Sequence, residues 1–487
     1  MSMSARGSIG VGGASGFEAS LAKAVPILII GYAVALLALR LSLSPFLEID
    51  EAQFVGQVDW RLVYANSHPP LYNWALRGLL EATGWNWPLS TGLLKYALLC
   101  AYYLLAWDAA RRLGGPMAGM MAVAAAAFLP QIVWQSAHTL AHSIMVLTGS
   151  MAIGHAVILI WERPSLGRYV WLGAAAALGA LAKFNFFLFA APLMLVIALE
   201  PEARRRVFER PAWIALALFI VATTPSFIAA ALDLEASAGR LSKLYSSSEG
   251  PWYDPPWLGL DGFVSLLVAS IAWAGPLAMV WALARWRSPR EVVGALPNAA
   301  PLRLLARAMA LGMIAFALIV LAADMHKVHE RYLTPILAVA PVWLAARYPL
   351  GGAARRWVAG LAGVAFLGAL IGVFAMVSNE KHRYAIPYQA IAAEIERAGA
   401  PPAPILAARH SDVANLTLAL GWRGAAAPRY AAVEDRALLV WRGDRSPPMR
   451  LAPEGFAPEG EPTTVRASYL NWRHDAFVMS FQSLKRP

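Results

Sequence analysis

An α-helical polytopic membrane protein is the fold class this sequence predicts, and three observations predict it. Of 487 residues, 59% are hydrophobic and only 15% are charged, whereas an ordinary soluble domain carries roughly 25% charged residues. Apolar runs approaching the length that crosses a bilayer, about 20 residues, recur along the chain. They are rich in Ala and Leu and lack the two-residue alternation of strands, so helices rather than a barrel are expected.

The runs fall at 24–43, 92–110, 115–134, 141–161, 169–182, 184–199, 212–231, 262–284, 305–323, 332–346 and 357–377, which gives about eleven spans. A short turn at Lys183 divides 169–199 into two of them. Before the first, residues 1–20 are rich in Gly and Ser and read as a disordered tail. Its "GSIGVGGASG" follows no strand, so it is no nucleotide cradle. The first run is too long for a cleaved signal and has no small-residue cleavage site after it, which predicts an uncleaved span. Cys100 is the single cysteine, so neither an intrachain disulfide nor a Cys-based metal site is available.

Arginines orient the spans. With the N-terminus in the cytoplasm, the inner loops collect Arg111, Arg112, Arg163, Arg168, Arg204, Arg205, Arg206, Arg210, Arg285 and Arg287, among others. The outer loops 44–91, 232–261 and 324–331 hold few cations, as the positive-inside rule requires. This distribution accounts for much of the +11 net charge. No basic stripe interleaved with aromatics is present, so nucleic acid is not an expected partner. Residues 21–377 thus form the transmembrane domain. The odd span count places residues 378–487 on the outer face.

That C-terminal segment changes character. "NEKHRYAIPYQAIAAEIERAG" reads as a helix, "APILAARHSDVANLTLAL" as a strand, a loop and a helix, and "RALLVWRGD" and "DAFVMSFQSL" as strands. The Pro-rich stretch 447–463 reads as a loop, and the whole as a small α/β domain. The first outer loop, 44–91, is far longer than most connections. Its apolar-aromatic stretches (Phe54, Val58, Trp60, Leu62, Tyr64; then Leu71, Tyr72, Trp74, Leu76) suit helices lying at the membrane surface.

Several polar residues sit where a membrane protein tolerates them only for a reason. Asp50 and Glu51 follow the first span directly; they are either boundary markers or a general base. His68 opens "HPPLYNW" and is either an anion ligand or a polar loop residue. His138 and His142 in "QSAHTLAHSIMV" are spaced to share a helix face. A zinc pair is one reading, but the glutamate of HExxH is missing, and a polar face lining a cavity is the favoured one. Lys183 in "ALAKFNFFLF" either snorkels to the interface or reaches an anionic substrate. In "DMHKVHERYLTPIL", His326, Lys327, His329, Arg331 and Tyr332 crowd one span end, a cationic cluster suited to a phosphate.

Together, the acid pair after the first span, "HPPLYNW" in a long outer loop, "AKFNF" and the late "ERYLTP" resemble the polyprenyl-phosphate-sugar-dependent glycosyltransferases. This multi-spanning superfamily includes protein mannosyltransferases, lipid A aminoarabinose transferases and lipopolysaccharide galacturonosyltransferases. The resemblance covers the layout of residues 25–345, and "HSDVANLTLAL" resembles an element in the tail of some members. It implies a C-type glycosyltransferase fold with Asp50 as the catalytic carboxylate and Glu51 beside it. It also implies His68, Lys183, Arg331 and Tyr332 around the donor phosphate, and Tyr72, His138, His142 and His329 at the cavity or the acceptor. His142 stands where many relatives carry another acid, which leaves the acceptor and any metal assistance open.

The implied partners are a polyprenyl-phosphate sugar donor, membrane lipids, and a lipid, lipopolysaccharide or protein acceptor, with no cofactor and no metal ligand set. The rival is a transporter or flippase of an anionic lipid-linked substrate. Against it, the polar residues lie at outer helix ends rather than in broken mid-span segments, and no inverted repeat is visible.

Overall fold

A computed structural model describes residues 16–64, 68–233, 260–287, 299–323, 325–377, 385–400, 402–421, 435–470 and 476–486. The tail up to residue 15 and residues 234–259, most of the second long loop expected on the outer side, lie outside these residues. Helix α1 (Gly16–Leu43) begins inside the stretch expected as tail. A one-turn helix α2 (Ile49–Ala52) follows, closed by a capping box in which Glu48 and Glu51 each accept the other's side of the turn.

Beyond α2 the chain departs from the expected surface helix. Gly56, at φ 88°, sits in a tight turn and no helix forms between 53 and 64. Phe54, Val58 and Tyr64 are buried there, while Trp60 and Leu62 are exposed. The second stretch does form a helix, α3 (Leu71–Ala82), which buries Tyr72, Leu76 and Leu80.

Helix α4 (Trp87–Gly114) starts where Asn86 accepts from Leu89 N–H and Pro88 occupies the first turn. The stretch between α1 and α4 is therefore 44–86. The third span is bent. Helix α5 (Pro116–Ala126) gives way to a π-turn at Gln131–Gln135 and the short α6 (Ser136–His138), turned 76° from α5. Then come α7 (Ala141–Glu162), α8 (Leu166–Ala182), a 3₁₀ turn at Phe184–Phe186, α9 (Phe187–Leu199), α10 (Pro201–Val207) and α11 (Ala212–Leu232). Helices α12 (Leu260–Arg287) and α13 (Ala299–Ala322) follow, then a 3₁₀ turn at Glu330–Tyr332. The short α14 (Thr334–Leu337) and α15 (Ala340–Arg347) precede α16 (Gly352–Val377).

Each of the expected apolar runs falls mostly on helix. Among the described residues seven helices are long and apolar enough to cross a membrane, or up to nine if each bent pair is one span. The difference from about eleven arises where runs are short or broken, at 166–182 and 334–347.

Small residues set the packing around the site. A Cβ at Gly149 of α7 would lie 2.7 Å from Gly179 Cα of α8, and one at Gly312 of α13 would lie 2.4 Å from Leu188 O of α9. Close backbone approach supplies the van der Waals contact that holds helices together where lipid surrounds them.

Among its described residues the C-terminal region is a four-stranded sheet with two helices; the first starts only at Tyr388, after Pro387, and the earlier part of the expected helix, 379–384, lies outside the described residues. In chain order it comprises α17 (Tyr388–Arg397), β1 (Ile405–Leu406), α18 (His410–Ala419), β2 (Arg436–Arg442), β3 (Ala457–Ser468) and β4 (Ala476–Lys485). The strand order is β1-β2-β4-β3, with β1 parallel to β2 and the other pairs antiparallel. Ile391, Ile395, Val413, Leu416, Val440 and Phe481 form a core between helices and sheet. The Pro-rich stretch 447–463 is therefore not all loop. Its second half enters β3, an edge strand that tolerates Pro458 and Pro462 and shifts register between Glu459 and Thr463.

Candidate active site

A cavity of about 770 Å³ opens where α2 and the stretch between α2 and α3 meet the ends of α7, α8, α9 and α13. Asp50, His68, His142, Lys183, Arg331 and Tyr332 all line it, brought together from distant parts of the sequence. Among the described residues lining it, Asp50 is the only acid. Gln53, Ser143 and Asn185 add polar groups, while Leu188, Ala191, Pro192, Ala315 and Ile319 form an apolar wall.

Asp50 is half-buried on α2. Its Oδ2 accepts from Leu140 N–H at 3.0 Å and from Thr139 Oγ1 at 3.2 Å. Leu140 adopts φ 58°, ψ 77°, a left-handed conformation uncommon for leucine. It breaks the helix after His138 and aims its N–H at the carboxylate. Such a conformation costs roughly 1–3 kcal/mol and persists where surrounding contacts enforce it. The carboxylate therefore sits at the N-terminus of α7, where the helix dipole favours an anion.

The same break corrects the expected histidine pair. His138 and His142 do not share a helix face, because α6 ends at one and α7 begins before the other. His138 packs on Trp134 with ring centroids 4.7 Å apart, and its Nδ1 lies 2.8 Å from Trp134 O. His142 packs instead against His68 (4.5 Å), Tyr72 (5.0 Å) and Phe54 (5.0 Å). Among the described residues no group of three or more His, Cys, Asp or Glu is placed to hold a metal ion.

Lys183 is the extended residue between α8 and the 3₁₀ turn, and its Nζ donates to Ser143 Oγ at 3.3 Å. It is 7% exposed, so it does not snorkel into solvent. Arg331 is exposed at the cavity mouth, with its guanidinium 5.9 Å from the centre of the Tyr332 ring. Asn185 Nδ2 donates to Tyr332 O at 3.5 Å, a link between the turn after α8 and the turn before α14.

Four expected site residues do not line the cavity: Glu51, Tyr72, His138 and His329. Tyr72 lies one layer behind, its ring stacked on Phe54 at 4.7 Å. Burial, then Arg331 and Lys327, holds the His329 imidazole below its ordinary range. Glu51 points into the protein, 1% exposed, and bonds Arg40 Nη2 at 2.9 Å and Lys95 Nζ at 3.0 Å. Burial pushes its carboxyl upward, but the Arg40 and Lys95 cations outweigh that and hold it at about 2. Arg40 also donates to Ser44 O and Phe46 O, so the triad fixes the turn that leads into α2. Sequence reasoning passed over both cations. Their signal is ionisable residues inside apolar runs, which calls for a named partner.

The far end of the bundle is built differently. Asp108 of α4 bonds Arg111, Arg112 and His155, and Arg112 reaches Glu162 at 2.7 Å. Arg206 donates to Trp161 O at 2.9 Å. These contacts gather Arg111, Arg112 and Arg206, three of the arginines expected on the inner side, at the end of α7 opposite the cavity.

Known proteins resemble this chain in the same terms. The family model described as dolichyl-phosphate-mannose-protein mannosyltransferase matches residues 67–228. The lipopolysaccharide core galacturonosyltransferase RgtB of Rhizobium johnstonii is 27% identical over 402 residues, 80% of each chain. RgtA of the same organism is 28% identical over 459 residues, 87% of each chain. The chain is homologous to membrane glycosyltransferases. The crystal structure of apo ArnT from Cupriavidus metallidurans superposes with a TM-score of 0.62 at 13% identity, over 94% of this chain and 98% of that one. ArnT bound to undecaprenyl phosphate gives 0.56 at 15% identity, over 93% and 97%. The glycosyltransferase fold implied by the sequence motifs is thus the fold observed.

Proposed function

We propose that the protein moves a sugar from a polyprenyl-phosphate-linked donor to an acceptor of the bacterial envelope: a lipid, lipopolysaccharide or a protein. One observation carries this reading. Asp50, the one carboxylate among the described residues lining the cavity, shares it with Lys183 and Arg331, and the apolar wall of that cavity runs along α9 and α13. A lipid-linked phosphate needs both halves, cations for its head and an apolar surface for its chain.

In the reaction, Asp50 takes the proton from an acceptor hydroxyl as that oxygen attacks the anomeric carbon. The bond from that carbon to the phosphate oxygen breaks, and polyprenyl phosphate leaves. Lys183, Arg331 and His68 stabilise the charge that develops on the leaving phosphate. Leu140 N–H and Thr139 hold Asp50 by one oxygen and leave the other for the acceptor. Because the two galacturonosyltransferases named above act on the lipopolysaccharide core, that is the first acceptor to test.

The protein is placed in the inner membrane with a cytoplasmic N-terminus and with the cavity and C-terminal domain in the periplasm. The arginines gathered at the opposite end support this orientation. Purified protein in liposomes, given polyprenyl-phosphate sugars and lipopolysaccharide, should yield sugar-bearing acceptor by mass spectrometry. Movement of intact donor across the bilayer without transfer would replace this reading with that of a flippase.

A further inference from the structure

The segment that leads into Asp50 is held by the C-terminal domain. Phe46 places its ring in that domain's core, 5.1 Å from the ring of Tyr388. Leu47 is paired on both polar groups with Asn415 of α18: its N–H donates to Asn415 Oδ1 at 2.8 Å, and Asn415 Nδ2 donates to Leu47 O at 3.1 Å. Asn415 is 1% exposed and Leu47 is fully buried. His410, the first residue of α18, donates from Nε2 to Ile49 O at 3.2 Å.

Helix α18 is itself fixed to the sheet. Asp412 accepts from the Tyr388 hydroxyl at 2.6 Å and from Arg442 of β2 at 2.9 Å and 2.6 Å. Burial first, then the Asp412 carboxylate, pushes the Tyr388 hydroxyl well above its ordinary range.

We propose that α18 is a positioning device for Asp50, with Asn415 and His410 as its positioning residues. This rests on the reading of Asp50 given above. A side-chain amide that pairs with both the N–H and the C=O of one residue fixes that residue along the chain direction as well as across it. The contacts reach residues 46, 47 and 49, the stretch ending next to Asp50. Asp50 is then gripped from two sides, by the C-terminal domain through its backbone and by α7 through its carboxylate. Lys183 and Arg331 are carried by other elements, so loosening α18 displaces the base from the phosphate site while leaving the phosphate site intact.

The test separates kcat from the donor KM in full-length protein. Asn415→Ala removes both bonds to Leu47 and should lower kcat at least about tenfold, because small misplacements of a reacting group carry large rate costs. Donor KM should stay within about twofold, since phosphate binding is untouched. Asn415→Asp keeps the acceptor for Leu47 N–H and should lose less. His410 is exposed, so His410→Leu should fold; it should lose kcat severalfold, and His410→Gln, which keeps a donor, should restore it. Hydrogen exchange at the Leu47 amide should rise in Asn415→Ala while β2 stays protected.

Wild-type kcat in Asn415→Ala with β2 protected, or a loss confined to KM, overturns the proposal. If Asn415→Ala does not fold, wild-type kcat in His410→Leu overturns it instead. Activity lost in Asp50→Asn but retained in these variants removes only the role of α18. Activity retained in Asp50→Asn removes both readings.

Discussion

Asp50 and Glu51 are chain neighbours on one turn of helix, yet the two faces of α2 belong to different parts of the molecule. The Asp50 face looks onto the cavity, where among the described lining residues Asp50 is the only acid beside several basic groups. The Glu51 face is sealed and its charge is matched by Arg40 and Lys95 at bonding distance. Successive helical residues point about 100° apart, so one short helix can serve both a reaction and a structural triad. A carboxylate whose oxygens both meet buried cations is committed to the fold, whereas one anchored by a single oxygen keeps the other for chemistry.

Substitutions at the two positions should therefore fail in different assays. Asp50→Asn removes the base and keeps the size. Loss of general-base assistance should lower sugar transfer by about 10²–10⁴-fold, with melting temperature and membrane insertion near wild type. An Asp50→Asn enzyme with more than about a tenth of wild-type turnover would fall outside that range and reduce Asp50 to a boundary residue. Glu51→Gln should instead damage folding, because it leaves Arg40 and Lys95 buried with no counter-charge. Breaking such a group costs roughly 3–5 kcal/mol, read as a large drop in melting temperature or in detergent-soluble yield. Equal stability of Glu51→Gln and wild type would dissolve the contrast.

Acidification probes the triad without mutation. Glu51 has a folded-state pKa depressed to about 2 from the ordinary 4.5, so its contribution is fully present above 4.5 and is lost as pH falls towards 2. Melting temperature should decline through that window, and a flat profile there would contradict the pairing. The smallest effect is expected at Thr139, whose hydroxyl supports Asp50 beside the stronger Leu140 N–H. Thr139→Ala should cost about 1 kcal/mol or less than tenfold in kcat, and a full loss would show that the hydroxyl does more than orient the carboxylate.

What the sequence made legible follows the range of the physics involved. Spans are local, and every expected apolar run became mostly helix, with breaks at 127–129 and 338–339. The gathering of Asp50, His68, Lys183 and Arg331 was also legible, because topology places alternate loops on one side and function concentrates there. Long-range pairing was not. The partners of Glu51 lie on α1 and α4, and only three-dimensional packing reveals that Lys95 points at α2. The break at Leu140 carries no Gly or Pro to announce it, so the histidines read as one helix face. Strand β3 was hidden by its prolines, since an edge strand accepts residues that a central strand rejects. Contacts between residues 46–49 and α18 cross most of the chain and leave no local pattern at all.

In the proposed reaction labour is divided within one cavity, with Asp50 acting on the acceptor and Lys183 with Arg331 holding the phosphate. Affinity of the purified protein for undecaprenyl phosphate tests it most directly, measured in Asp50→Asn and in the Lys183→Ala, Arg331→Ala double variant. Charge-assisted hydrogen bonds contribute roughly 1.5–3 kcal/mol each, so the double variant should bind at least about tenfold more weakly. Asp50→Asn should bind as tightly as wild type. Undiminished binding by a folded double variant would contradict the claim, because the phosphate would then be held somewhere else.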